Sequence, residues 1–269
     1  LAEPASTVVA PVVVDESAET RPTLMSRKPW REALVVLALY ATYSLVRLAA
    51  TGDLEDAEDA AHGIRMIERW LGIDVERSWN GWISGHPTLM LAVSLWYATL
   101  HWVATAAVLV FLWLRRPRVY RPLFAILVGT TMSALAFFVL IPTAPPRLID
   151  GFVDVLEAAG NLGYWDHGAT GEDGLSASTN ELAAFPSLHA GWSLWVCLAV
   201  FASTRRLWWR LGGVAYALTT AAVVIVSANH WVIDVLAGWA LVAGWAWVVS
   251  RWCRRRSEGL CEGTTAVVP

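Results

Sequence analysis

The chain has little that would mark a stapled, metal-built or strongly charged protein. Its three cysteines, Cys197, Cys253 and Cys261, follow neither a disulfide framework nor a zinc-binding spacing. No redox motif is present. Charged residues are scarce at 16% of 269 positions, against 56% hydrophobic residues. A soluble fold with a solvated surface is therefore not indicated, and no nucleic-acid partner is expected. The net charge of −3 says little, because the charges are segregated along the chain. Internal repeats of the kind many transporters carry are absent. Residues 1–29 lack a signal peptide's succession of basic, apolar and cleavage regions and read as a disordered cytoplasmic tail. Residues 253–269 read as a second cytoplasmic tail. What is abundant is tryptophan, 17 residues, enough to furnish belts at both membrane interfaces.

Between the tails, residues 30–252 hold six apolar stretches that could each supply the roughly 20 residues a bilayer core requires. They are Trp30–Ala50, Thr88–Leu114, Leu123–Ile141, Phe185–Thr204, Leu211–Ala228 and Trp231–Trp252. In lipid each must be helical, since no water satisfies its backbone groups. Most of the 20 lysines and arginines fall in four clusters, at Arg21–Arg31, Arg115–Arg121, Arg205–Arg210 and Arg251–Arg256. If six spans alternate, all four clusters lie on one side, which the positive-inside rule makes cytoplasmic. The expected fold is all-α, a six-span protein of the plasma membrane with both termini cytoplasmic. On the other side lie Thr51–Pro87, Pro142–Ala184 and a short hinge at Asn229. The first has an acidic cluster from Asp53 to Asp59, then Ile64, Ile67, Trp70 and Leu71 interleaved with Arg65, Glu68 and Arg69. That spacing predicts an extracytoplasmic interfacial helix, or one packed over the spans. The second, with Gly160, Gly163, Gly168, Gly171 and Gly174, reads as a loop and candidate lid.

Ionisable groups at the edges of or inside membrane spans are costly and point to function. His230 and Asp234, four residues apart, share one helical face. The aspartate can accept from one imidazole nitrogen and leave the other free to attack; the alternative is a buried polar pair joining two spans. Ser187 can cap the fourth span, placing His189 in its first turn, where a histidine can bind phosphate or protonate a leaving group. Asn229 can cap the sixth span similarly. Arg147, in Pro142-Thr-Ala-Pro-Pro-Arg147, suits bidentate recognition of phosphate, or a lipid headgroup anchor. Tyr97 and His101 form a four-residue pair inside the second span, lining a polar pocket or bonding between helices. His62, His86 and His167 read as solvated loop residues. Three separate stretches thus bring histidine, histidine–aspartate and arginine to one bilayer surface.

Pro186-Ser187-Leu188-His189 and His230-x-x-x-Asp234 resemble the second and third motifs of the type-2 phosphatidic acid phosphatase superfamily, with leucine at a position that holds glycine in that pattern. Phe185–His189, Asn229-His230, Tyr97-x-x-x-His101 and the Pro-x-x-Pro-Pro stretch are similar to its inositolphosphotransferase-like branch, which includes inositol-phosphorylceramide synthases. The likeness covers most of Trp30–Arg251. It implies His230 as the phosphoryl-accepting nucleophile, Asp234 as its orienter and His189 as the acid for the leaving oxygen. Arg147, Ser187, Asn229, Tyr97 and His101 would contact substrate. No metal and no other cofactor is implied.

Two departures shape the expected chemistry. Val223 and Val224 stand where the phosphatase pattern has Ser-Arg, and no Lys-x6-Arg-Pro motif occurs on the extracytoplasmic side. The site thus has few fixed positive charges. A phosphodiester carries about one negative charge and a monoester about −1.5 to −2 near neutral pH, so a diester is the better match. The expectation is a membrane phosphotransferase working through phosphohistidine on a phospholipid or polyprenyl phosphodiester. It would pass an inositol-phosphate-type headgroup to a lipid or sugar alcohol; a lipid-phosphate or lipid-diphosphate phosphatase using water is the alternative. A transporter or assembly factor is the non-enzymatic reading.

Overall fold

The computed structural model describes residues 53–160 and 182–265, with side chains to residue 255, and scattered helical positions between 30 and 42. The expected first span, Trp30–Ala50, lies largely outside the described residues. So do the tail 1–29, His167 and the lid glycines Gly163, Gly168, Gly171 and Gly174.

Every regular element among the described residues is helical. α1 (Leu54–Leu71) and α2 (Glu76–Ser84) form a short antechamber before the long apolar helices. Asp53 caps α1 by accepting from the Glu55 N–H, and Glu55 and Asp56 in its first turn complement the helix dipole. Gly72 ends α1 in the left-handed conformation, φ 71°, donating to the Arg69 carbonyl while Ile73 donates to Glu68. Then come α3 (Pro87–Leu95), a π segment (Trp96–Leu100) and α4 (His101–Arg115), which run on as one rod. α5 (Pro117–Leu140) follows, then a 3-10 turn at Pro146–Leu148 and the short α6 (Val155–Ala159). α7 (Leu188–Ser203), α8 (Leu207–Val226) and α9 (Val232–Thr265) complete the chain.

Four helical rods are long and apolar enough to cross a membrane: Pro87–Arg115, Pro117–Leu140, Leu207–Val226 and Val232–Arg255. The expected fourth span differs. Its helix covers only Leu188–Ser203, 16 residues, because Phe185 and Pro186 form a bend and Ser187, extended, caps the helix; the Phe185–Pro186 bond is cis. α7 is nevertheless the centre of the bundle, packed against α4, α5, α8 and α9. Trp195 on α7 is fully buried and donates to the Leu123 carbonyl at 2.7 Å, inside a core of Leu112, Ile126, Leu127 and Val242.

Of the arginine clusters, Arg115–Arg121 and Arg205–Arg210 lie at the α4–α5 and α7–α8 junctions and Arg251–Arg255 lie on the later part of α9, and the first of these is not a loop. Between α4 and α5 only Arg116 is non-helical; Pro117 at the first helical position starts α5 at once, so Arg118 and Arg121 ride on helix. The opposite end gathers the start of α3, the end of α5, the start of α7 and the α8–α9 junction.

α7 and α9 cross closely where Gly191 meets Gly238. A Cβ on Gly238 would collide with the Ser187 carbonyl oxygen and lie 3.3 Å from the Gly191 nitrogen. Small residues are what permit such approach. Gly238→Ala is expected to cost about 1–3 kcal/mol by forcing the α7 start away from α9, read as a lowered unfolding midpoint in detergent. A variant as stable as the parent would contradict this.

Candidate active site

The α8–α9 junction is built by backbone geometry. After Val226 the chain turns through Ala228, φ 60°, and both the Asn229 and His230 N–H groups donate to the Val224 carbonyl. His230 is thereby presented at the top of the bundle, 5% exposed. Its Nδ1 lies 2.8 Å from the Ala184 carbonyl oxygen and 3.5 Å from Asp234 Oδ2. A carbonyl only accepts, so Nδ1 bears the proton and Nε2 keeps its lone pair. The Ala184 carbonyl is thus the nearer partner of the ring, beside Asp234 at the expected i,i+4 position. Asp234 Oδ2 is also drawn to the Trp231 N–H at 2.8 Å, where it caps α9. Its carboxylate, fully buried, still sits beside the ring and can stabilise positive charge that develops there.

His189 follows Ser187, whose hydroxyl accepts from the Ala190 N–H and is itself buried. The His189 and His230 rings are 5.9 Å apart between centroids, within reach of one phosphoryl group. His189 is further enclosed by Tyr97, stacked at 4.2 Å, and by His101 at 3.9 Å. The π segment between these two residues widens the helix by a residue at that point, a feature common at functional sites. Its effect here is that Tyr97 and His101 both face one ring. Trp192 and Trp102 close the same wall. The Nε2 of His189 and the Nδ1 of His101 are buried without a partner in the described residues. From Pro87 to His101 the rod rises about 21 Å at 1.5 Å per residue. His101 therefore sits well along α3–α4 rather than at its tip.

Arg147 reaches the site from the 3-10 turn. Its backbone donates to the Ala228 carbonyl, Nη1 donates to Asn229 Oδ1 at 2.9 Å, and Nε pairs with Asp154 at 3.2 Å. Asn229 does not cap α9: its side-chain amide donates to Ser227 and its carbonyl holds Arg147. His62 bonds to the Glu58 carbonyl of its own helix, and His86, just before α3, to the Trp82 carbonyl of α2. Among the described residues no three His, Cys, Asp or Glu side chains converge as a metal site requires.

The family pattern decides the identity. A family model for the PAP2 superfamily matches residues 62–248, which takes in every residue of this cluster. The chain belongs to the PAP2 superfamily. It is accordingly a membrane enzyme of the lipid phosphatase/phosphotransferase kind. No curated protein and no solved structure matches the chain.

Several members of the site were not legible in the sequence. Ala184 acts through its carbonyl, which every residue possesses. Asp154, the partner of Arg147, caps α6 in a segment read as loop. Trp231, fully buried, donates from Nε1 to the Ala144 carbonyl and meets Phe152 edge-on, tying the α9 start to the arginine turn. Glu68 reverses an expectation. It was grouped with the polar face of α1, yet it is wholly buried, while Ile67, Trp70 and Leu71 are exposed. The buried stripe runs through Ala57, Ala61 and Glu68, whose small alanines let α1 approach the bundle.

Proposed function

We propose that this PAP2 enzyme is a phosphotransferase acting on a phospholipid or polyprenyl phosphodiester at the extracytoplasmic face of the plasma membrane, with both termini cytoplasmic. The observation that carries the reading is the pair of facing imidazoles, with the His230 tautomer held by the Ala184 carbonyl. His230 Nε2 attacks phosphorus; the bond from phosphorus to the lipid oxygen breaks, and His189, which takes up a proton beside the bound anionic phosphate, gives it to that oxygen. A second hydroxyl then returns a proton to His189 as it attacks, and the phosphorus–nitrogen bond breaks. Asp234 stabilises the charged intermediate. Ser187, Asn229, Tyr97 and His101 line the substrate's path.

Transfer rather than hydrolysis is supported by the aromatic wall around His189, which disfavours water, and by the paired state of Arg147. With Asp154 offsetting its charge, Arg147 is better matched to one negative charge than to two. The exposed Met66, Ile67, Trp70 and Leu71 of α1, with Trp79 and Trp82 of α2, fit a hairpin lying in the interface beside the site. An open apolar notch lined by Trp79, Trp82, Ala222 and Val226 suits an acyl chain beside it.

The test is turnover of labelled phosphatidylinositol and phosphatidic acid by purified enzyme, with and without a lipid alcohol. Movement of the headgroup to the alcohol supports the proposal; inorganic phosphate released from phosphatidic acid, with no transfer, makes the enzyme a phosphatase. Arg147→Lys is expected to lower kcat/KM by about 10–100-fold, because an ammonium cannot hold Asn229, Asp154 and phosphate together. An unaffected kcat/KM would remove Arg147 from the phosphate site.

A further inference from the structure

Three consecutive backbone N–H groups open α9, those of Trp231, Val232 and Ile233, and each donates to a carboxylate at 2.8 Å. The acceptors are Asp234 Oδ2, Glu76 Oε1 and Glu68 Oε1. The last two come from α2 and α1, 156 and 165 positions earlier in the chain than their donors. Both glutamates are completely buried, and the Oε2 atom of each meets no donor among the described residues. The amides that hold them, Val232 and Ile233, are adjacent in the chain, so the two carboxyl groups lie side by side. Two adjacent carboxylates, buried beside a third at Asp234, would repel strongly, and a single proton between the Oε2 atoms removes one charge and satisfies both oxygens.

We propose that Glu68 and Glu76 share one proton and so clamp the start of α9, acting as positioning residues for His230. The functional part rests on the role proposed above for His230; the proton-sharing part does not. His230 immediately precedes the clamped amides, and its ring must stay aligned between Ala184 and His189. Displacement of a reacting group by about 1 Å can cost about 100-fold in rate. The clamp also explains why α1 buries an acid and leaves its apolar residues outside.

Burial, with the neighbouring Glu76 and Asp234 charges adding to it, pushes the Glu68 carboxyl from 4.5 up to about 9; burial likewise raises Glu76. The other charged groups around the pair are Asp74, Arg65 and Arg69, which bond among themselves, and His230. The folded state keeps a proton that the unfolded chain loses above about 4.5. Stability therefore falls as pH rises from there to about 9, above which both carboxylates are charged.

The test compares wild type with Glu68→Gln and Glu68→Ala in detergent, recording unfolding midpoints from pH 5 to 10 alongside kcat and KM. Glutamine supplies an acceptor for Ile233 and a permanent donor to Glu76. Glu68→Gln should hold kcat within about threefold at neutral pH, while its midpoint rises relative to wild type with increasing pH and its alkaline loss of activity disappears. Glu68→Ala should lower kcat by about 30-fold or more with KM little changed. Identical pH profiles for wild type and Glu68→Gln would overturn proton sharing. Equal kcat for the alanine and glutamine variants would overturn positioning. If the alanine variant does not fold, the glutamine profiles decide alone, and the midpoints do so even if no lipid is turned over.

Discussion

Replacing His230 by alanine is expected to lower turnover by about 10⁴-fold or more, equivalent to about 5.5 kcal/mol of transition-state stabilisation. The size follows from the loss of the covalent route itself. With Nε2 gone, no other nucleophile in the cluster stands at the same place: His189 is stacked against Tyr97 and backed by His101. Binding should survive, because Nδ1 of the ring is engaged by protein groups, the Ala184 carbonyl and Asp234. The prediction is thus a kcat effect with KM nearly unchanged, and with the unfolding midpoint close to wild type. Asp234→Asn should fall between, at about 10²–10⁴-fold, since an amide can still cap Trp231 but brings no negative charge to the imidazolium. A His230→Ala enzyme retaining more than a tenth of wild-type turnover would contradict the assignment.

The second large effect is expected at His189, and it depends on the leaving group. A general acid contributes about 10²–10⁴-fold when the departing oxygen is a poor leaving group such as a lipid alkoxide. His189→Ala should show that loss with a natural lipid. With a p-nitrophenyl phosphodiester, whose phenolate departs without protonation, the deficit should shrink to about tenfold or less. His230→Ala should be equally impaired on both substrates, because attack is needed in either case. The two variants are separated by this pattern rather than by size alone. Equal losses for His189→Ala on both substrates would make His189 a binding or structural residue.

The fold was legible where hydrophobicity sets the outcome. The rods through Thr88–Leu114, Leu123–Ile141, Leu211–Ala228 and Trp231–Trp252 appear within a few residues of their apolar stretches, because lipid leaves helix as the only option. The fourth stretch was overextended. Phe185 and Pro186 are apolar but lie outside the helix, and apolar length cannot distinguish a span from a shorter central helix. The segment after Asp53 is helical as its spacing predicts, and the stripe it buries runs through Ala57, Ala61 and Glu68. The spacing of Ala57, Ala61, Ile64 and Glu68 marks the stripe; a glutamate in it argues against burial unless its partner, the Ile233 N–H far along the chain, is known.

The site shows the same division. His189 and His230 converge as their motifs suggest, since each sits at a helix start fixed by local capping. Tyr97 and His101 join them because a π segment turns both towards one ring. The i,i+4 rule for His230 and Asp234 gives their proximity but not the backbone groups that share them, the Ala184 carbonyl and the Trp231 N–H. The competing donor, the Trp231 N–H, exists only because a helix begins there. Arg147 meets Asn229, next to His230, and its pairing with Asp154 depends on a fold of the loop that residue types do not reveal.

The central claim is most directly tested by trapping the covalent intermediate. Enzyme mixed briefly with ³²P-labelled phosphatidylinositol, without acceptor, would be quenched in alkali and its peptides sequenced. The account predicts label on His230, stable in base, released by acid, absent from His230→Ala and discharged when a lipid alcohol is added before the quench. Label on another residue, or full turnover with no labelled protein at any time after mixing, would contradict it.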